Sequence, residues 1–242
     1  MKPKSETLFH FTKNTDYLKQ ILLTGFFPRY SLEDTRWMSL PSFDFLAYPM
    51  VCFCDIPLSR IFEHTVFYGE YGFGLTKEWG LANKLAPLIY APNNSPATNL
   101  ANYLMLFSHT GLSDAEEQRK ITNSHLYRLL SYTKPLSGHM LIAGSIVEKD
   151  FYQESEWRFV PETQEMIAHE NFAEEKDADN KKMEEHALLF SPSDVRYIFV
   201  KQDHEIPDLV DFINTKMGHH PHNALKLLVT RILSLESLAR DV

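Results

Sequence analysis

The stretch Phe151-Tyr152-Gln153-Glu154-Ser155-Glu156-Trp157-Arg158-Phe159-Val160-Pro161 decides how this chain is read. Its aromatic and β-branched second half has the character of a strand, with the carboxylate of Glu156 at its mouth. Two blocks far upstream share that character: Leu8-Phe9-His10-Phe11-Thr12 and Val51-Cys52-Phe53-Cys54-Asp55-Ile56-Pro57-Leu58-Ser59. Each is an apolar, strand-like run with polar groups set into it. A packed core holds a His, a Thr or an Asp only where the group is satisfied or used. Three such interruptions point to one site assembled from distant strands.

Composition narrows the class. The 242 residues suffice for one large domain or two small ones, and 44% hydrophobic with 23% charged residues is ordinary globular composition. A net charge of −8 argues against a protein that coats nucleic acid non-specifically, though it leaves room for a local basic groove. The two cysteines, Cys52 and Cys54, share one face of a strand, where a disulfide would be strained. The N-terminus has no apolar signal region, and no stretch reaches about 18 uninterrupted apolar residues. The expectation is a soluble, cytoplasmic chain with no membrane partner.

Outward from these blocks, residues 8–12 read as a strand and Asn14-Thr15-Asp16 as the cap of a helix ending at Gly25. Residues 31–48 read as a loop able to cover a site, 51–54 as a strand, and Pro57 as the start of a helix. A turn at 68–72 leads to a strand at 73–77. From about 79 to 138 the signals are mostly helical, with the best helices at 99–107 and 115–132 and a short strand at 87–90. Strand patterns return at 140–147, 157–160, 186–190 and 195–200. Residues 170–186 are strongly acidic and read as a solvated loop. Two helices follow residue 206, the second with an amphipathic stripe over Leu225, Leu228, Val229, Ile232, Leu235 and Leu238.

Each chemical candidate has a plainer reading beside it. His10 is either a core histidine bonded to a neighbouring carbonyl or a ligand-binding group. Gly218-His219-His220-Pro221-His222 lacks Cys or carboxylates at ligand spacing and reads as a polar interhelix loop, so no metal is expected. The glycines around Tyr68 and Tyr71 lack the following helix that a phosphate-cradling loop requires. Glu154 and Glu156 share a strand face in principle, as a surface pair or as a pair that raises one pKa.

The runs LFHFT (8–12), GFFPRYSLEDTRW (25–37), VCFCDIPLS (51–59), YGEYGFGLTKEWG (68–80), KPLSG (134–138) and FYQESEWRFVP (151–161) resemble, in this order, the AbiGi family of bacterial abortive-infection proteins. That family is named for phage defence and often labelled an antitoxin, which describes gene context rather than chemistry. More distantly, a first-strand His, an aromatic-x-Asp strand followed by Pro and Ser, and a late strand opening with Glu resemble ADP-ribosyltransferases. These include the DarT-like and poly-ADP-ribose-polymerase-like enzymes. That resemblance implies that His10 holds the adenosine ribose of NAD and that Glu156 directs transfer. It implies Ser59, Tyr68 and Tyr71 as nicotinamide contacts, with Thr12 on the cleft wall. Cys52 stands where the polymerase-like pattern carries a Tyr.

Together these readings predict an α+β fold: ADP-ribosyltransferase-like split antiparallel sheets forming a cleft, in a single domain over 1–242. A helical insertion is expected at 83–138 and C-terminal helices at 203–242; a doubly wound α/β sheet is the competitor. The predicted function is an ADP-ribosyltransferase toxin in phage defence that moves ADP-ribose from NAD to nucleic acid (RNA or DNA) or protein, under a cognate antitoxin or regulator. The alternative is a non-enzymatic antitoxin or phage sensor that binds a partner protein through its acidic segment and C-terminal helix.

Overall fold

In the computed structural model of the chain, residues 5–38, 44–110, 116–142, 145–162 and 166–240 are described. The first elements are β1 (Thr7–Thr12), α1 (Thr15–Thr24), β2 (Arg29–Asp34), β3 (Phe45–Cys54), α2 (Ile61–Tyr68), β4 (Tyr71–Thr76) and α3 (Lys77–Ala82). Next come β5 (Ala86–Pro87), β6 (Ile89–Ala91), α4 (Pro96–Thr110), α5 (Glu116–Ser131), β7 (Thr133–Pro135), β8 (Ser137–Ile142), β9 (Ser145–Asp150) and β10 (Glu156–Phe159). The chain continues through β11 (Ile167–Ala168), α6 (His169–Lys182), β12 (Val195–Val200), α7 (Ile206–Lys216), α8 (His222–Val229), β13 (Ile232–Ser234) and α9 (Leu235–Leu238). It divides into two compact units, one of residues 1–27, 52–85 and 187–242, the other of 28–51 and 86–186.

In the first unit the strand order is β13-β12-β4-β1, with the end of β3 beside β1. β1 runs antiparallel to β4, and Phe9 and Phe11 lie opposite Gly74 and Gly72. Those glycines leave room for the rings: a Cβ on Gly72 would sit 2.7 Å from the Phe11 ring, and one on Gly74 3.1 Å from the Phe9 ring. Alternation along β1 divides the core. Phe9 and Phe11 pack with Cys54, Ile56, Ile61 and Phe199, while His10 lies among Phe26 and Phe53. α1 starts on the Asn14 side chain, which accepts from the Tyr17 N–H, and ends at Gly25 with φ 76.

In the second unit, β2 pairs antiparallel with the first part of β3, from Arg29 opposite Met50 to Asp34 opposite Phe45. β11 pairs antiparallel with β3, β10 with β5, and β8 with β9. The α4–α5 hairpin buries Met105, Leu126 and Leu130 against Met38. α6 sets Phe172 over Tyr30 and Ala47, and its Asn180 side chain accepts from the Tyr30 N–H at 2.8 Å.

The fold is α+β. Among the described residues the parallel pairs are β12 with β13 and β6 with β7, and no helix is long and apolar enough to cross a membrane. Five local expectations need correction. Residues 31–48, expected as a loop, hold most of β2 and the start of β3; 39–43 lie outside the described residues. Residues 140–147 belong to two antiparallel strands, β8 and β9, instead of one, and 143–144 lie outside the described residues. Residues 186–190 contribute a single bridge, Leu188 to Phe26. The acidic 170–186 segment is mainly helix α6, because Phe172 and Met183 find apolar partners that its composition does not reveal. The last amphipathic stripe is broken: the helix stops at Val229, and Ile232 joins β13 beside Ile198. The Arg231 side chain donates to the Pro192 and Val195 carbonyls there.

Candidate functional site: a buried ionic cluster in the second unit

β10 reads Glu156-Trp157-Arg158-Phe159, and strand alternation sends Glu156 and Arg158 to one face. Both are buried, Arg158 at 0% exposure and Glu156 at 6%. The strand is pinned at its start by the Tyr90 hydroxyl, which accepts the Glu156 N–H at 2.8 Å, and by the Glu156 carbonyl, which accepts from Leu88 at 2.9 Å. Just before it, Ser155 adopts the left-handed conformation, φ 46 and ψ 50, between the short 3-10 turn Phe151–Glu154 and β10. That reversal brings Glu154 into the same cluster.

Charges of both signs converge here. Arg158 Nε donates to Glu156 Oε1 at 2.5 Å, Nη2 lies 2.9 Å from Glu33 Oε2, and Nη1 donates to the Ser131 carbonyl at 2.8 Å. Lys134 Nζ, on β7, stands 3.1 Å from Glu156 Oε2, 3.6 Å from Glu154 and 3.7 Å from Glu33. Lys149 Nζ, near the end of β9, reaches Glu154 Oε1 at 2.6 Å. Three carboxylates (Glu33, Glu154, Glu156) thus face three cations (Lys134, Lys149, Arg158), and the formal charges cancel. Burial opposes the charge on Lys134, but Glu156, Glu33 and Glu154 outweigh it and hold the ammonium above its ordinary range. Burial also raises the Tyr90 hydroxyl, and it raises the Tyr48 hydroxyl with help from Glu33. Such a cluster is expensive to desolvate, so it is retained for geometry or for function rather than for raw stability.

Beside the cluster lies a cleft of about 200 Å3 lined by Glu33, Lys134, Asp34 and His139, with Tyr30 and Phe172 among its apolar walls. Asp34 accepts from the Arg36 side chain at 3.0 and 2.9 Å and from the His139 N–H at 3.0 Å. Burial raises the Asp34 carboxyl, but those hydrogen bonds outweigh it and leave the carboxyl below its usual range.

The residues singled out from the sequence distribute over both units. Glu156 belongs to the second, while His10, Thr12, Ser59, Tyr68 and Tyr71 belong to the first. His10 Nδ1 lies 2.8 Å from the Cys52 carbonyl, which fixes the Nδ1–H tautomer. Burial lowers its pKa, partly opposed by that hydrogen bond. Thr12 faces Tyr71 across β1 and β4. The Tyr71 hydroxyl donates to Glu205 at 2.7 Å, and burial with Glu205 pushes its pKa up to about 12. Tyr68 stacks on His64 and packs with the Phe9–Phe11 cluster, on the face of β1 away from His10. Ser59 is exposed in the 3-10 turn before α2. Cys52 and Cys54 are not joined in a disulfide. Glu154 and Glu156 are both buried, so they are not a surface pair. Among the described residues, no group of three or more His, Cys, Asp or Glu is placed to hold a metal.

Sequence reasoning passed over Glu33, Lys134 and Lys149. Glu33 sat in the supposed loop, and Lys134 counted only within a family motif. The Glu-x-Arg spacing of β10 was the available signal, because residues two apart on a strand share a face.

An α+β chain with these motifs in this order has the make-up of a phage-defence protein. The family model described as abortive phage resistance protein AbiGi, antitoxin, matches residues 25–201, and the chain belongs to that family. It is also 28% identical, over 90% of its length and 99% of the relative's, to the abortive phage resistance protein AbiGi of Lactococcus lactis subsp. cremoris. No solved structure matches the chain.

Proposed function

We propose that the chain serves abortive infection by binding a protein toxin through the outer face of α4. The observation that carries this reading is the stripe Leu100, Tyr103, Leu104 and Phe107. These side chains recur at three- and four-residue spacing and are exposed, Tyr103 at 63% and Leu100 at 58%. Met105, on another face of the same helix, fills the core with Leu126 and Leu130. From Pro96 to Thr110 the helix has no Asp, Glu, Lys or Arg, so it offers an uncharged apolar seam of the kind that docks in a groove. The family's description as an antitoxin supports a protein toxin as the occupant. Co-expression with the cognate toxin tests this: Tyr103→Glu combined with Leu100→Glu should lose neutralisation while the melting temperature stays near wild type. Full neutralisation by that variant would sink the reading.

A second reading is catalytic: ADP-ribosyl transfer from NAD, used as substrate without a metal, to nucleic acid or protein. Its support is positional. Glu156 opens β10 and His10 lies within β1, the strand placements that the transferase resemblance assigns to them. In that reading a single transferase-like domain spans the chain, with Glu156 as its catalytic carboxylate. The Glu156 carboxylate would stabilise the oxocarbenium-like transition state. Labelled NAD offered with RNA, DNA and protein separates the two readings. Transfer by the wild type that falls on the order of 100-fold in Glu156→Gln supports catalysis; no NAD turnover together with harmless expression ends it.

A further inference from the structure

The cleft beside the ionic cluster has features that neither reading uses. Its floor presents two opposite charges side by side, Lys134 Nζ standing 3.7 Å from Glu33 Oε2. Glu33 lines the cleft and meets Arg158 and Lys134 through Oε2, and a carboxylate carries a second acceptor oxygen. Lys134 supplies a donor next to it. A neighbouring acceptor and donor complement a molecule that carries a donor and an acceptor together on one edge, as an amide or a nucleobase does.

The walls ask for a flat ring. Phe172 and Met140 are partly exposed along the cleft, with Tyr30 behind them. An aromatic face holds a planar heterocycle by stacking, whatever its sequence of ring atoms. Size and charge narrow the class further. A cleft of about 200 Å3 is smaller than the roughly 300–1,000 Å3 that encloses a drug-sized molecule, so a dinucleotide is too large. The six cluster charges cancel and Asp34 is paired with Arg36, so the lining charges give a phosphate no net attraction.

We infer that this cleft binds a neutral nucleobase-type heterocycle, as free base or nucleoside, with its hydrogen-bonding edge on Glu33 and Lys134 and its ring against Phe172. Nothing in this depends on the α4 surface or on NAD chemistry.

Calorimetric titration of the full chain with adenosine, guanosine, cytidine and uridine, their free bases and their 5′-monophosphates tests the site. At least one base or nucleoside should bind with one-to-one stoichiometry, and its monophosphate should bind more weakly. Phe172→Leu keeps an apolar side chain but removes the ring face, and should weaken binding about tenfold. Ser31→Trp, at an exposed position on the cleft, should block binding while leaving the melting temperature unchanged. Base and nucleoside arms distinguish the two sources of the same ring. No binding at millimolar ligand, a monophosphate that binds as tightly as its nucleoside, or undiminished binding by Ser31→Trp would each overturn the inference.

Discussion

Arg158 donates from Nε to Oε1 of Glu156 at 2.5 Å, from two residues further along the same strand. Nothing but the pleat of β10 is needed to bring the two together, and the rest of the cluster is assembled around them. Arg158→Met removes a fully buried cation and leaves Glu156 and Glu33 short of a partner. The expected loss is about 3–5 kcal/mol of stability, read from denaturant unfolding. Combining it with Glu156→Met leaves Glu33 and Glu154 facing Lys134 and Lys149, so the charges balance again. The double variant should therefore be more stable than the sum of the two single losses predicts, by about 0.5–3 kcal/mol. Simple additivity would show that the pair is not coupled.

His10 predicts a pH dependence of the first unit. Burial holds its pKa below the ordinary histidine value of 6.5. In the unfolded chain it takes up a proton that the folded chain refuses, so the unfolded state binds more protons as pH falls. Stability from this group is complete above the unfolded value and is lost as pH drops through it toward the folded value. The slope contributed by one such group is at most about 1.4 kcal/mol per pH unit. His10→Asn keeps a donor toward the Cys52 carbonyl but does not titrate. Melting temperatures of the two proteins should converge as the buffer is acidified from neutral pH, and parallel curves would refute the assignment.

Asp34 behaves in the same sense at lower pH. The Arg36 and His139 hydrogen bonds outweigh burial and leave its carboxyl below the ordinary aspartate value of 3.8. Its contribution is present above that value and disappears as pH falls below it. Asp34 itself is buried, but its partner Arg36 is partly exposed, and solvent screening through that side keeps the effect small. Asp34→Asn should be less stable than wild type near neutrality and lose less on acidification; an equal loss in both would place the acid sensitivity elsewhere.

How far the sequence could be read follows from which forces act locally. The Asn14 cap, the Gly25 terminus, β12 and the α4–α5 pair were legible because each is fixed by nearby periodicity or capping chemistry. β2 and the start of β3 were not, because Pro49 sits within the strand opposite Tyr30 and reads as a breaker. α6 is polar over most of its surface, and its order depends on Phe172 and Asn180 meeting Tyr30, which is distant in sequence. The candidate site divides in the same way. Glu156 and Arg158 could be paired by eye from strand parity, whereas Glu33, Lys134 and Lys149 reach them only through tertiary folding.

Gly69 is where backbone and packing agree most sharply on one residue. It follows α2 with φ 112, a conformation that side chains rarely adopt, and a Cβ there would lie 2.2 Å from the Thr12 carbonyl oxygen. That oxygen is backbone at the end of β1, which cannot swing aside as a flexible side chain would. Gly69→Ala must therefore strain the helix exit or pull β1 away from it. The conformational penalty alone is about 1–2 kcal/mol, and the steric clash adds to it. Gly218 is the internal control: a Cβ there meets nothing within 4 Å, and its φ lies outside the left-handed region. Gly218→Ala should leave stability unchanged or raise it by up to about 1 kcal/mol through the unfolded chain. Chemical denaturation of the two variants side by side checks the contrast; equal midpoints would mean that the exit of α2 tolerates a side chain, contrary to this geometry.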